Sequence, residues 1–92
     1  MKFIFKHSTR CPISARAKSE VELILPSLPE NLEYIYVDVI ANRTESNRIA
    51  EHYGIRHESP QVLLIDDNDQ VFYHASHYQI KADTLKEKIA TL

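Results

Sequence analysis

The strongest constraint on the fold is a change of hydrophobic period near the start of the sequence. Residues 2–6 (KFIFK) form a short run rich in aromatic and branched side chains, which is typical of a buried strand. From Pro12 onward the apolar residues recur at steps of three and four, as they do on one face of a helix: Ile13, Ala17, Val21, Ile24 and Leu28. A strand that leads directly into a helix favours an α/β fold.

The same alternation continues through the middle of the chain. A run rich in tyrosine and branched residues predicts a second strand over residues 32–40. A second helix is predicted over residues 45–53, with Thr44 as its cap. Gly54, the only glycine, follows that helix and is expected to end it, because glycine accepts the left-handed conformation at low cost.

The last third of the chain predicts a hairpin and a packing helix. Pro60 opens a third strand over residues 61–65, whose consecutive apolar residues suggest burial on both faces. An Asp/Asn-rich turn over residues 66–69 then predicts an antiparallel return over residues 70–75. A final helix over residues 84–91, beginning from Ala82 or Asp83, directs three apolar side chains to the core: Leu85, Ile89 and Leu92.

These elements predict an α/β fold of order β-α-β-α-β-β-α, with a four-stranded mixed sheet flanked by helices on both faces. The first two strands are expected to be parallel and joined by a right-handed crossover. A length of 92 residues predicts a single domain spanning residues 1–92.

Composition excludes several classes of function. With 11 basic and 13 acidic side chains the net charge is −2, which argues against binding nucleic acid or a membrane surface. The apolar runs are far shorter than the roughly 20 residues that a membrane helix needs. Neither a secretory leader nor a second cysteine is present, so we expect a cytoplasmic protein.

The only cysteine, Cys11, lies between the first strand and the first helix. A helix leaves its first N–H groups unpaired and carries partial positive charge at that end, so a thiolate is favoured there. Arg10, with Lys6 and Arg16 nearby in sequence, adds positive charge. The alternative is an inert, buried cysteine. The position predicts a reactive sulfur, and Pro12 fits the first helical turn because it needs no N–H there.

Cys11-x-x-Ser14 on this order of elements resembles the thioredoxin fold, with the second cysteine replaced by serine. Together, four blocks of sequence resemble the monothiol bacilliredoxins of the bacillithiol system: residues 5–14 (FKHSTRCPIS), 37–40 (VDVI), 57–62 (HESPQV) and 74–77 (HASH). The resemblance spans essentially the whole chain.

The resemblance implies that Cys11 takes bacillithiol from protein mixed disulfides. Bacillithiol would be a co-substrate, no cofactor would be tightly bound, and a second thiol or an external reductase would regenerate Cys11. Pro60 matches the cis-proline that faces the active cysteine, and Ser59 matches the residue that offers backbone hydrogen bonds to the substrate. Ser14 could donate a hydrogen bond to the thiolate or cap the helix. The catalytic prediction is therefore Cys11, Pro12, Ser14 and Pro60.

The resemblance also implies a partner that carries carboxylates. Arginine binds carboxylates with paired hydrogen bonds, so Arg10 is the first candidate, and Arg56 and His57 beside Pro60 are weaker ones. Ser76 and His77 match the place where glutaredoxin-like folds hold the far end of the thiol. The alternative for all these residues is an ordinary solvated surface.

The five histidines raise the question of a metal site. His7 with Cys11, or His74 with His77, could supply two ligands each, but zinc sites use three or four, so no metal site is predicted. His7 could instead tune Cys11 electrostatically.

Two other functions and one assembly remain open from the sequence. The chain could be a non-catalytic module that binds a peptide between Cys11 and Pro60. It could also be a glutaredoxin-like iron–sulfur carrier, although Pro12 would crowd the cluster. Bacilliredoxins carry extra residues before the first strand, whereas here the strand begins at Lys2. An edge of the sheet could therefore be exposed and pair in a homodimer.

Overall fold

A computed structural model describes residues 1–91, which form one mixed sheet with α-helices on both faces. The elements follow the predicted order: β1 (Lys2–His7), α1 (Pro12–Ile24), β2 (Glu33–Asp38), α2 (Arg43–Tyr53), β3 (Gln61–Ile65), β4 (Val71–Ser76) and α3 (Ala82–Ala90). Short 3-10 turns at Leu25–Ser27 and His77–Gln79 follow α1 and β4. The predicted fold class is confirmed. The expected core contact of Leu92 lies outside the described residues.

The strands lie in the order β2-β1-β3-β4. β1 pairs in parallel with β2 and antiparallel with β3, and β4 returns antiparallel to β3 with an irregularity at Leu64 and Ile65. The predicted hairpin is therefore confirmed. β1 and β3 are the two central strands, and every residue of β3 is buried, as its apolar run predicts.

Alternation along the central strands builds two apolar layers. Phe3 and Phe5 of β1 pack in a cluster with residues of α1 and α3, whereas Ile4 packs with Ile49 of α2. Successive strand side chains point to opposite faces, so neighbours on β1 reach different helices. This division decides which element each residue at the end of β1 contacts.

The predicted cap of the second helix is wrong. Thr44 lies inside α2, because the helix starts at Arg43 and the Asn42 carbonyl already accepts the Ser46 N–H at 3.1 Å. At the other end Gly54 adopts φ 66° and ends the helix as predicted.

β2 is shorter than the predicted residues 32–40, because the chain turns after Asp38. The Asp38 carboxylate accepts hydrogen bonds from the N–H groups of Ile40 at 3.0 Å and Ala41 at 3.1 Å. An aspartate that binds the backbone two residues ahead is a common turn former, and it ends the strand here.

Candidate functional site

Cys11 is the N-cap residue of α1 and is separated from the end of β1 by three residues. Its N–H donates to the Ser8 carbonyl at 3.3 Å and its own carbonyl accepts the Ala15 N–H at 3.0 Å. The sulfur makes no capping hydrogen bond, and the residue is half-buried. Pro12 is exposed in the first helical turn. The thiol is thus held at the amide end of a helix with access to solvent.

The hydroxyl of Ser14 is bound to the segment that precedes Cys11. Ser14 is fully buried, and its Oγ accepts the Ser8 N–H at 2.8 Å and lies 2.8 Å from His7 Nδ1. The sequence suggested that this serine could donate to the thiolate or cap the helix. In the structure its contacts are with His7 and Ser8, and together these three residues form a clamp across the base of the Cys11 loop.

His7 of the clamp lies under aromatic neighbours. The side chain is buried, and its ring centroid lies 5.6 Å from that of Phe5 and 5.9 Å from that of Tyr36. Burial lowers the pKa of His7, and the positive charge of Lys18 lowers it further. The neutral ring is therefore favoured. It makes a contact with the Cys11 loop that the sequence did not suggest.

Pro60 lies at the same end of the sheet as the Cys11 loop. Lys6 on β1 is opposite Gln61 on β3, so the next residues, His7 and Pro60, leave the paired region together. The Ser59–Pro60 peptide bond is cis and Pro60 is fully buried. The segments carrying Cys11 and Pro60 therefore lie at the same end of the sheet, and we call the surface between them the Cys11–Pro60 groove.

Two polar atoms beside Pro60 are sealed from solvent with no partner in residues 1–91. They are the Ser59 hydroxyl and the side-chain oxygen of Gln61, whose amide nitrogen donates to the Arg56 carbonyl at 3.0 Å. Buried polar atoms are nearly always hydrogen-bonded, so this stretch has bonding capacity that the described protein atoms do not use.

The structure does not bring the remaining predicted binding residues together in one cavity. Arg56 and Ser76 line a shallow cavity of about 330 Å³, together with Glu58 and His74. A hydrogen bond from Ser76 lowers the pKa of the Glu58 carboxyl. Cys11, Arg10, His57 and His77 are not among the lining residues.

The structure also shows where His77 and the two arginines near Cys11 lie. His77 is exposed in the left-handed conformation, φ 54°, and its N–H donates to the Pro60 carbonyl at 3.1 Å. Arg10 is exposed, whereas the Arg16 guanidinium lies 5.4 Å from the centre of the Tyr78 ring. Both arginines are near Cys11 in the sequence, but only the packing shows that Arg16 lies against Tyr78 while Arg10 is exposed.

A buried polar cluster that the sequence did not suggest lies between β1 and α2. The Lys6 ammonium is fully buried and donates to the Ser46 carbonyl at 2.9 Å, and it lies 3.3 Å from His57 Nδ1. The Ser46 hydroxyl lies 3.0 Å from the same nitrogen. The signal that could have found it is a lysine on the same face of β1 as Ile4, since alternation directs that face inward.

Residues 1–91 contain no group of three or more His, Cys, Asp or Glu side chains placed to hold a metal ion. Within the same residues, no helix is both long enough and apolar enough to cross a bilayer.

The family model of "Monothiol bacilliredoxin BrxC" matches residues 1–85. The chain belongs to the monothiol bacilliredoxin family. This confirms the resemblance drawn from the motifs around Cys11 and Pro60, and the family supports a thiol redox role.

Solved structures agree with the family assignment. A protein described as a candidate oxidoreductase with a thioredoxin fold is 30% identical, with a TM-score of 0.82 over 94% of this chain and 74% of that one. Two thioredoxins show the fold alone. Thioredoxin-2 of the malaria parasite has 12% identity and a TM-score of 0.78, over 99% of this chain and 82% of its own. Fasciola hepatica thioredoxin has 19% identity and a TM-score of 0.72, over 98% and 78%.

Proposed function

We propose that this bacilliredoxin removes bacillithiol from protein mixed disulfides through Cys11. The observation that carries the proposal is the placement of a lone, half-buried cysteine at the N-terminus of α1, at the same end of the sheet as Pro60. Helix-end amides favour a thiolate there, and the thiolate is the nucleophile in disulfide exchange.

The exchange balances without an added oxidant. The Cys11 thiolate attacks the bacillithiol sulfur, a Cys11–bacillithiol disulfide forms, and the client disulfide breaks to release the client thiolate. In the second step an external thiolate attacks that new disulfide and leaves Cys11 as a thiolate. Both steps exchange one disulfide for another, so the number of electrons is conserved.

The Ser14 clamp explains why the second thiol must come from outside. A serine oxygen cannot form a disulfide, and this one already contacts Ser8 and His7. Bacillithiol as co-substrate, bacillithiolated clients, and a second thiol or a reductase for regeneration are all part of the proposal. It also includes the cytoplasm as location, because a lone reactive thiol needs a reducing compartment. A homodimer through an exposed edge of the sheet remains a prediction.

Mass spectrometry tests the proposal directly. Incubating the protein with oxidised bacillithiol should add one bacillithiol, and Cys11→Ser should add none while keeping the native circular dichroism spectrum. With a bacillithiolated client protein, the native chain should release the free client thiol and Cys11→Ser should not. A native chain that never acquires the adduct would refute the proposal. A variant that unfolds would mean that Cys11 is structural.

The same preparation tests the two other functions left open by the sequence. Anaerobic incubation with iron, sulfide and a thiol would give a coloured dimer if Cys11 carried a cluster, whereas we expect a colourless protein. If the chain were a binding module, peptides would bind in the Cys11–Pro60 groove equally well with Cys11→Ser, and no disulfide exchange would be seen.

A further inference from the structure

The cavity of about 330 Å³ that Gln61 lines lies apart from the exchange chemistry, because Cys11 is not among its lining residues. Gln61 and Ser76 are opposite each other on β3 and β4, and both side chains line the cavity. Gly54, which ends α2, lines it as well. The cavity therefore lies between the end of α2 and two neighbouring strands, and we call it the Gln61 cavity.

An unused acceptor belongs to the most buried side chain of this lining. Gln61 is 1% exposed, and its Oε1 has no hydrogen-bond partner within residues 1–91. Its Nε2 donates to the Arg56 carbonyl at 3.0 Å, which fixes the orientation of the amide, because the reverse orientation would place two oxygens in contact. Buried acceptors are nearly always paired. A ligand in the cavity can therefore supply the missing donor.

The neighbouring hydroxyl of Ser76 already has its hydrogen in use. It donates to the Glu58 carboxyl, and this hydrogen bond is the largest cause of the lowered pKa of Glu58. The Ser76 side chain also accepts the backbone N–H of Gln79, whose side-chain oxygen accepts the Ser76 N–H at 3.3 Å. Glu58 takes part in none of the salt bridges within residues 1–91. The cavity thus keeps a carboxylate, ionised at neutral pH, that can pair with a cation.

The positive charge of the lining is carried by its exposed residues. Arg56 and His74 are exposed, whereas Gln61 is buried and Glu58 is half-buried. A long exposed arginine can keep its charged head in water. The end of α2 at Gly54 adds partial negative charge, because a helix carries about half a negative charge at its C-terminus. The interior of the cavity therefore favours a positively charged hydrogen-bond donor.

We propose that the Gln61 cavity binds an alkylammonium group, such as the end of a lysine side chain on a partner protein. The ammonium donates to Gln61 Oε1 and to the Glu58 carboxylate, next to the negative end of α2. Its compact head carries three donors, and its flexible stem of four carbons lets it enter from the exposed side. The site goes beyond the proposed function and does not depend on the exchange at Cys11.

An NMR titration of the full chain with three probes tests the proposal. Nα-acetyl-lysine methylamide carries the ammonium on a peptide unit, butylamine carries it alone, and Nα-acetyl-norleucine methylamide has the stem without the charge. The lysine derivative should shift the side-chain amide of Gln61 and the backbone amide of Gly54 until they saturate, and the norleucine derivative should not. Butylamine should bind more weakly, whereas equal binding would assign the cavity to free amines instead of a partner protein.

Four substitutions identify the groups that hold the ammonium. Gln61→Met removes the acceptor and should weaken binding of the lysine derivative about tenfold, the loss expected for a hydrogen bond to a charged group. Glu58→Gln should weaken it as well, because it removes the negative charge. Glu51→Gln changes an exposed carboxylate of α2 outside the lining and should leave the affinity within about twofold. Arg56→Gln should strengthen binding, because it removes a like charge from the cavity.

The sign of the Arg56→Gln effect separates a site for cations from a site for anions. Weaker binding in this variant, equal shifts from the norleucine derivative, or an affinity unchanged by both Gln61→Met and Glu58→Gln would overturn the inference. If Gln61→Met loses the native circular dichroism spectrum, Glu58→Gln and Arg56→Gln decide the outcome. Cys11→Ser should bind the lysine derivative as the native chain does, so a failure of bacillithiol exchange would leave this site unaffected.

Discussion

The two sides of the Cys11–Pro60 groove are held by neighbouring residues of β1 through different chemistry. His7 reaches α1 and binds Ser14 beneath the cysteine, as a neutral ring among aromatic neighbours. Lys6 reaches α2 and the segment before Pro60, as a buried ammonium. One side is positioned by neutral hydrogen bonds and the other by charge. A single pair of strand residues therefore positions both sides, because alternation sends them to opposite layers.

Among substitutions on the two sides of the groove, we expect Ser14→Ala to cause the largest loss of stability. It removes the acceptor of the Ser8 N–H and the partner of His7, and leaving buried polar groups unpaired costs about 1–3 kcal/mol each. We expect unfolding at lower urea concentration and slower exchange at Cys11, both measurable on the same preparation.

The matched control is Ser19→Ala on the same helix. The Ser19 hydroxyl donates to the Ala15 carbonyl at 3.3 Å but is exposed, so the change in the free energy of unfolding should stay within about 0.5 kcal/mol. Equal losses from the two substitutions would show that the clamp has no special role.

A smaller effect is expected from Ser46→Ala on the Lys6 side. The substitution removes the hydroxyl contact with His57 Nδ1 but keeps the carbonyl that accepts from Lys6. Because the ammonium can still donate to that nitrogen, we expect a loss of about 0.5–1.5 kcal/mol in urea unfolding. Because an ammonium group can only donate to Nδ1, we expect proton–nitrogen NMR of the native chain to show the His57 proton on Nε2, and Ser46→Ala should leave that tautomer unchanged. A switch to Nδ1–H would show that the hydroxyl, and not Lys6, fixes the ring.

The smallest effect is expected in the pH dependence of stability. Burial lowers the pKa of both His7 and His57, so below about pH 6.5 the unfolded chain binds protons that the folded chain does not. Stability should therefore fall as the pH drops from 7 toward 5. Lys6→Met should flatten part of this slope, because it removes one cause of the lowered pKa of His57. Urea unfolding at pH 7, 6 and 5 measures the slope, and an identical slope in the variant would contradict this prediction.

Much of the molecule is determined by the sequence alone. The change of period after Lys6, the run of residues 61–65 and the stop at Gly54 are local signals, so they predicted the order of elements and the fold class. Four blocks of sequence together, among them those around Cys11 and Pro60, indicated the family, because each block is a continuous stretch that is visible without knowledge of the fold.

Tertiary structure decided the contacts between distant residues. That Ser14 binds His7 and Ser8, and that Lys6 meets Ser46 and His57 across 40 and 51 positions, follows only from packing helices on both faces of one sheet. A side chain's charge is visible in the sequence, whereas its burial and its partners depend on the packed layers around it. For that reason the sequence suggested that Lys6 adds positive charge near Cys11, whereas the structure shows Lys6 buried against Ser46 and His57.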